Sequence, residues 1–127
     1  MSVWEKHELQ KIGAADELRI SPLSNDGKTY RQPATIWAVV VDGELYVRAY
    51  NGENSRWYQA ALRQNAARIN AAGVNTEVRF EKIAGAINDR IDDAYRQKYG
   101  GSPYLKPMIE RRARAATLRV IPAKGAA

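Results

Sequence analysis

The sequence predicts an α+β domain with about six strands. Short β-rich runs are divided by turn chemistry at Asn25-Asp26-Gly27, Asp42-Gly43 and Asn51-Gly52. Between and around them lie segments with apolar residues at helical spacing. The composition is that of a globular chain: 127 residues, 45% apolar and 27% charged. That length suits one domain, with a helix over 1–16, a barrel-forming body over 17–122 and a tail over 123–127.

Trp4, Leu9 and Ile12 recur at helical spacing, and Gly13 reads as the stop of a short N-terminal helix. Leu18 to Pro22 alternates as a strand ending at proline. Asn25-Asp26-Gly27 is a turn, because glycine accepts positive φ and Asn and Asp favour turn geometry. Ala34 to Val41 reads as one long strand, its unbroken apolar run Ile36–Val41 implying burial on both faces. Asp42-Gly43 then joins it to the alternating run Glu44–Tyr50, the sequence signature of a tight hairpin. Asn54 or Ser55 caps a helix that runs to about Asn65. Ile69 and Glu77–Ile83 supply two more strands, joined near Ala72–Asn75. Asn88 opens the best helix of the chain. Asp89, Asp92 and Asp93 lie in its first turns and Arg96 and Lys98 in its last, which complements the helix dipole. Those aspartates are therefore read as structural. Ser102-Pro103 starts a further short helix, and Ala115–Ile121 closes the chain as a strand.

Composition excludes much chemistry. With no cysteine there is no disulfide, thiolate nucleophile or Cys-based metal site. The single histidine, His7, removes His-cluster metal sites, and a Ser-His-Asp triad built on it is not expected. No metal is therefore expected. No apolar run approaches the roughly 20 residues of a membrane helix, and the N-terminus lacks a signal-peptide pattern, so a cytoplasmic protein without membrane attachment is expected. The net charge of +6 favours an anionic ligand. The basic residues are scattered apart from the cluster Arg111, Arg112 and Arg114, so nucleic acid is not the expected partner.

Three segments can carry chemistry. In Arg48–Tyr58 a strand runs through Asn51-Gly52 into a helix N-terminus, where free backbone N–H groups and the dipole favour an anion. Arg48 and Arg56 would grip a phosphate there, Ser55 lies at the helix start, and Trp57 and Tyr58 add flat faces. The same residues also describe an ordinary capped corner. Gly27–Pro33 presents Lys28 and Arg31, either to the same anion or to solvent, and leads to Thr35, Ile36 and Trp37 on the sheet. Glu110–Thr117 is a basic entry to the last strand, either a solvated charge run or a partner for acidic residues such as Asp92 and Asp93.

The order of these elements, the Asp-Gly hairpin, the Asn-Gly turn into Trp57-Tyr58 and the tyrosine-rich helix before the last strand resemble the FMN-binding split-barrel superfamily. Within it the deazaflavin-dependent nitroreductase and quinone-reductase branch is the most similar. More narrowly, the whole chain resembles a bacterial family of small proteins of unassigned function. The superfamily resemblance implies a six-stranded split β-barrel with flanking helices, usually a homodimer, with FMN or a deazaflavin in a groove. It places Lys28 and Arg31 in the first turn, Thr35 and Trp37 beneath the ring, and Asn51, Gly52, Ser55, Arg56 and Trp57 at the phosphate turn. Arg48 is implied as a further phosphate ligand, with Tyr30 or Tyr104 donating a proton or a hydrogen bond. The family's paired-glycine turn is reduced here to Gly27-Lys28, and its Asn-Pro appears as Asn65-Ala66. The activity implied is that of a flavin- or deazaflavin-dependent oxidoreductase acting on a small organic substrate. The alternative is a non-enzymatic small-ligand or protein-binding module on the same fold that has lost its cofactor.

Overall fold

The computed structural model describes residues 4–123, so most of the expected tail lies outside the described residues. Helix α1 (Lys6–Ala14) is followed by strands β1 (Leu18–Pro22), β2 (Ala34–Ile36), β3 (Ala38–Val41) and β4 (Glu44–Arg48). After a 3-10 turn at Gly52–Asn54 come α2 (Arg56–Gln64), β5 (Ala67–Ala71) and β6 (Val74–Lys82). The chain then forms α3 (Ile87–Tyr99), the short helices α4 (Leu105–Met108) and α5 (Arg111–Arg114), and β7 (Thr117–Pro122).

All seven strands form one antiparallel sheet in the order β2-β1-β5-β6-β7-β4-β3. Its two edge strands are consecutive in the chain and separated by Trp37 alone. Two Cα steps span at most about 7 Å, so the edges must meet there. The sheet is thereby rolled into a nearly closed barrel with its seam at Trp37. The α+β split barrel is the expected fold, with one correction. The predicted long strand Ala34–Val41 breaks at Trp37, because its first half pairs with β1 and its second half with β4. Only the second half is covered on both faces; Thr35 in the first half is exposed.

Strand alternation separates two cores. Leu18, Ile20, Leu45, Val47, Ile69, Val78, Leu118 and Val120 point into the barrel. Helix α1 packs against that core with Leu9 and Ile12, and Trp4, just before the helix, joins it and donates from Nε1 to Val120 O at 2.8 Å. The second core lies between the outer faces of β3 and β4 (Val39, Val41, Tyr46) and Ile91, Tyr95, Tyr99, Met108 and Ala113 of the C-terminal helices.

Turn chemistry explains most boundaries. Asp42 and Gly43 both have positive φ (53° and 77°), the geometry of a two-residue hairpin that pairs Val41 with Glu44. Ala72 and Gly73 make the same kind of turn at φ 51° and 82°, so β6 begins at Val74, earlier than predicted. Gly13 does not stop α1. A Cβ there would lie 2.9 Å from Val40 Cγ2, so glycine is needed for the helix to lie against β3. The basic run before the last strand is helical at α5, and β7 starts at Thr117 rather than Ala115.

Arg48, at the end of β4, points outward into the second core and is 1% exposed. Its Nε donates to Thr117 Oγ1 (2.9 Å). One terminal nitrogen donates to Asp92 Oδ1 (2.6 Å) and Met108 O (3.0 Å), the other to Asn88 O (3.2 Å) and Asn88 Oδ1 (2.9 Å). All five guanidinium donors are thus engaged. Asn88 lies in the first turn of α3 rather than capping it, and Asp92 answers Arg48 in addition to the dipole. Arg114 also reaches Asp92 (3.4 Å) and Asp89 (2.9 Å), so the basic run does pair with acidic residues of α3, though Asp93 pairs with Arg96 instead.

Removing one partner of a buried ion pair leaves an uncompensated charge. Asp92→Ala is expected to lower the unfolding free energy by about 3–5 kcal/mol. Asp89→Ala, at an exposed pair, is expected to cost less than about 1 kcal/mol. Urea midpoints for the two variants, at unchanged denaturant slope, check the contrast.

Candidate functional site

The break at Trp37 leaves a groove on the outside of the barrel, beside the seam. Its volume is about 730 Å³, within the range of small-molecule sites. One wall is β2 and the seam, with Ala34, Thr35, Ile36 and Trp37. The facing wall is the end of β4 and the start of α2, with Tyr50, Asn51, Asn54, Ser55, Arg56 and Trp57. Tyr104 and Met108 of the α4 region complete it, and no carboxylate lines it.

Of the residues singled out from sequence, Thr35, Ile36, Trp37, Arg48, Asn51, Ser55, Arg56, Trp57 and Tyr104 line this groove. Arg48 needs reassignment. With its side chain wholly buried and every donor engaged, it supports the wall and has no N–H left for a phosphate. Gly52 is behind the wall rather than on it. Its φ is +76°, and a Cβ there would lie 2.4 Å from Arg112 Cγ and 3.1 Å from Arg112 O, so the basic helix packs directly on the turn. Lys28 and Arg31 are exposed and do not line the groove. The loop that carries Lys28 is tied to itself: Asp26 Oδ1 accepts from the N–H groups of Lys28 (2.8 Å) and Thr29 (3.0 Å), and those bonds hold the Asp26 carboxyl below its usual pKa. Tyr30 lies under the Arg68 guanidinium, 4.4 Å from its ring centre, and is also outside the groove.

The decisive local feature is Ser55. It occupies the N-cap position of α2 but makes no capping bond, and its Oγ is buried with no hydrogen-bond partner. The N–H groups of Arg56, Trp57 and Tyr58 precede the first intrahelical bond, from Gln59 N to Ser55 O (3.1 Å). A buried hydroxyl and a helix N-terminus therefore converge on one wall of the groove, with Arg56 exposed beside them. That set can take an anion.

The aromatic residues bring flat faces to the groove. Trp37 stacks on Tyr99 at 3.9 Å between ring centres and 3° between planes, so one indole face is fixed while the side chain lines the groove. Tyr99 is in turn held by its hydroxyl, which donates to Asp16 O (2.8 Å); burial pushes its pKa up to about 12. At the mouth, the exposed rings of Tyr50 and Tyr104 meet edge to face at 6.2 Å. Tyr50, Asn54 and Met108 escaped the sequence reading as site residues. Met108 reaches the groove from 60 residues beyond Arg48 through a bond from that arginine to its carbonyl, a relation with no local sequence sign.

The family model for a bacterial conserved group matches residues 8–120. The chain belongs to DUF2255. That family is described as an uncharacterized protein conserved in bacteria. No curated protein matches the chain. Solved structures share its fold. HutZ, the heme storage protein from Vibrio cholerae, superposes with a TM-score of 0.68 at 9% identity, covering 98% of this chain and 93% of that one. An F420-H2 dependent reductase, FDR-A, gives 0.61 at 11% identity, covering 84% and 93%. ChuZ from Campylobacter jejuni gives 0.63 at 15%, covering 92% and 50%. At such identities the likeness shows the fold, the split barrel that this DUF2255 chain shares with these proteins.

Replacing an N-cap serine by alanine ordinarily costs about 1 kcal/mol. Here Ser55→Ala removes a buried hydroxyl without a partner, so stability is expected to stay level or rise by up to about 1 kcal/mol. Thermal or urea unfolding of the variant decides it, and a loss of about 1 kcal/mol would show that the hydroxyl has a partner in the free protein.

Proposed function

We propose that the groove holds a flavin or deazaflavin and that the protein is a cytoplasmic oxidoreductase, working as a homodimer on a small organic substrate. The observation that carries this reading is the orphaned Ser55 hydroxyl at the N-terminus of α2, within a groove that also presents Trp37 and Trp57. A phosphate oxygen would supply the acceptor that Ser55 lacks. The N–H groups at the start of α2 and the Arg56 guanidinium would share its charge. Thr35 and Trp37 would then lie along the ring, and Asn51 at the turn. When bound, such a cofactor supplies hydride transfer, while the protein supplies orientation and the electrostatics around the ring.

The roles of the chain's own residues follow from their positions. Tyr99 holds Trp37 rigid, so the groove wall does not need to order itself on binding. Tyr50 and Tyr104, both exposed on the open side, would cover a planar substrate and keep water from it, and the Tyr104 hydroxyl would donate a proton or a hydrogen bond there. A heme would find no imidazole or thiolate in the groove, since the only histidine, His7, lies on α1; Met108, Tyr50 and Tyr104 are the lining residues that could meet its iron. A second reading is favoured by one observation. Of the four cations expected to grip phosphate, only Arg56 lines the groove with donors to spare, which suits a weaker, non-enzymatic ligand-binding module on the same fold.

Absorbance titration with FMN and with a deazaflavin tests the proposal. A saturable spectral shift is expected, weakened by about tenfold or more in Arg56→Ala and in Ser55→Ala, since each removes a hydrogen bond to a charged group. Turnover of a redox dye separates the enzyme from the binding module. No shift with either cofactor overturns the reading. A Soret shift with hemin in the same assay would move the protein toward the heme-storage neighbour instead.

A further inference from the structure

A second cavity, of about 510 Å³, lies on the other side of β3, between α1 and α3. Its floor is apolar, formed by Leu9, Val39, Val40 and Ala94. Over that floor stand Lys6 and Gln10 from α1, and Gln97 and Lys98 from α3. Two lysines and two glutamines thus share the lining with an apolar floor, and no carboxylate lines it.

Lys98 is half-buried, and its Nζ donates to Ala38 O at 2.6 Å, which leaves two N–H donors free. It has no carboxylate partner within 4.0 Å among the described residues; Asp16 acts on it only through space. A half-buried ammonium resting on a neutral carbonyl, with Asp16 acting on it only from beyond contact, lacks the contacting counter-charge that ordinarily accompanies it. Burial accordingly lowers its pKa.

We propose that this cavity is a second ligand site, which takes a small amphiphilic carboxylate. The carboxylate would sit between Lys98 and Lys6 with the carboxamides as further donors, and the apolar body on Val39, Val40 and Leu9. The site is wired to the groove. Lys98 Nζ lies 5.1 Å from the centre of the Tyr99 ring, Tyr99 stacks on Trp37, and the carbonyl that Lys98 holds belongs to the residue after Trp37. An anion that draws Lys98 away from Ala38 O therefore alters the support of the Trp37 ring.

Octanoate is the probe, with octanol and inorganic phosphate as controls, followed by calorimetry and by tryptophan fluorescence of the full chain. Octanoate is expected to bind saturably and change the emission. Affinity should fall about tenfold in Lys98→Met and severalfold in Lys6→Gln, an exposed position where folding is not at stake. Arg56→Ala, in the other groove, should leave octanoate binding unchanged. Octanol binding as tightly as octanoate, inorganic phosphate binding as tightly, or no saturable octanoate binding at all overturns the proposal. Loss in Arg56→Ala but not in Lys6→Gln also overturns it, by placing the anion in the flavin groove.

Discussion

The guanidinium of Arg48 is the constraint on which the rest of this structure hangs. A charged side chain placed on the covered face of a strand must find an acceptor for every donor, or the fold loses several kcal/mol. Arg48 finds them on three separate elements: the first turns of α3, the end of α4 and the start of β7. Apolar burial pulls α3 onto the barrel without much preference for its angle or register. The fork of Arg48 supplies that preference, because only one placement brings Asn88, Asp92, Met108 O and Thr117 Oγ1 to it together. Thr117 Oγ1 in turn lies 2.7 Å from Arg114 O and 3.1 Å from Asn88 Oδ1, which ties the strand to α5 and α3.

This placement has consequences for the groove. Met108 and Tyr104 reach the mouth because α4 is anchored by its carbonyl to Arg48, and Trp37 is held by Tyr99 of the same α3 that Arg48 orients. The residue expected to bind phosphate instead builds the wall against which a ligand would lie. Arginine suits both tasks for the same reason, its planar set of five donors, so residue type alone does not separate them. Only the burial of the side chain does.

Legibility in the sequence followed the range of the interactions. The Asp42-Gly43 hairpin, β1 and the span of α2 and α3 are set by residues a few positions apart, and they read correctly. The Asn51-Gly52 to Trp57 corner was found for a local reason too: a helix N-terminus after a glycine turn is visible in one line of sequence. What escaped depends on distant partners. Nothing between Ala34 and Val41 marks a break, since no glycine or proline interrupts the run; the two halves part only because β1 and β4 lie on different sides of the seam. Ala72 takes positive φ with no sequence sign that it must, and Gly13 looked like a helix stop although its purpose is contact with Val40. The basic turn Gly27–Pro33 offers Lys28 and Arg31 either to the anion or to solvent, and solvent is where they lie, on a loop that closes on itself through Asp26.

The seam at Trp37 also bears on how the molecule behaves among its own copies. A sheet that is not fully bonded around leaves two rows of unpaired backbone groups, which invite edge-to-edge stacking of foreign strands. Here those rows belong to β2 and β3, only three and four residues long, brought against each other by the single residue between them. One chain segment thus supplies both margins and turns each toward the other, so the opening beside the groove exposes little template for aggregation.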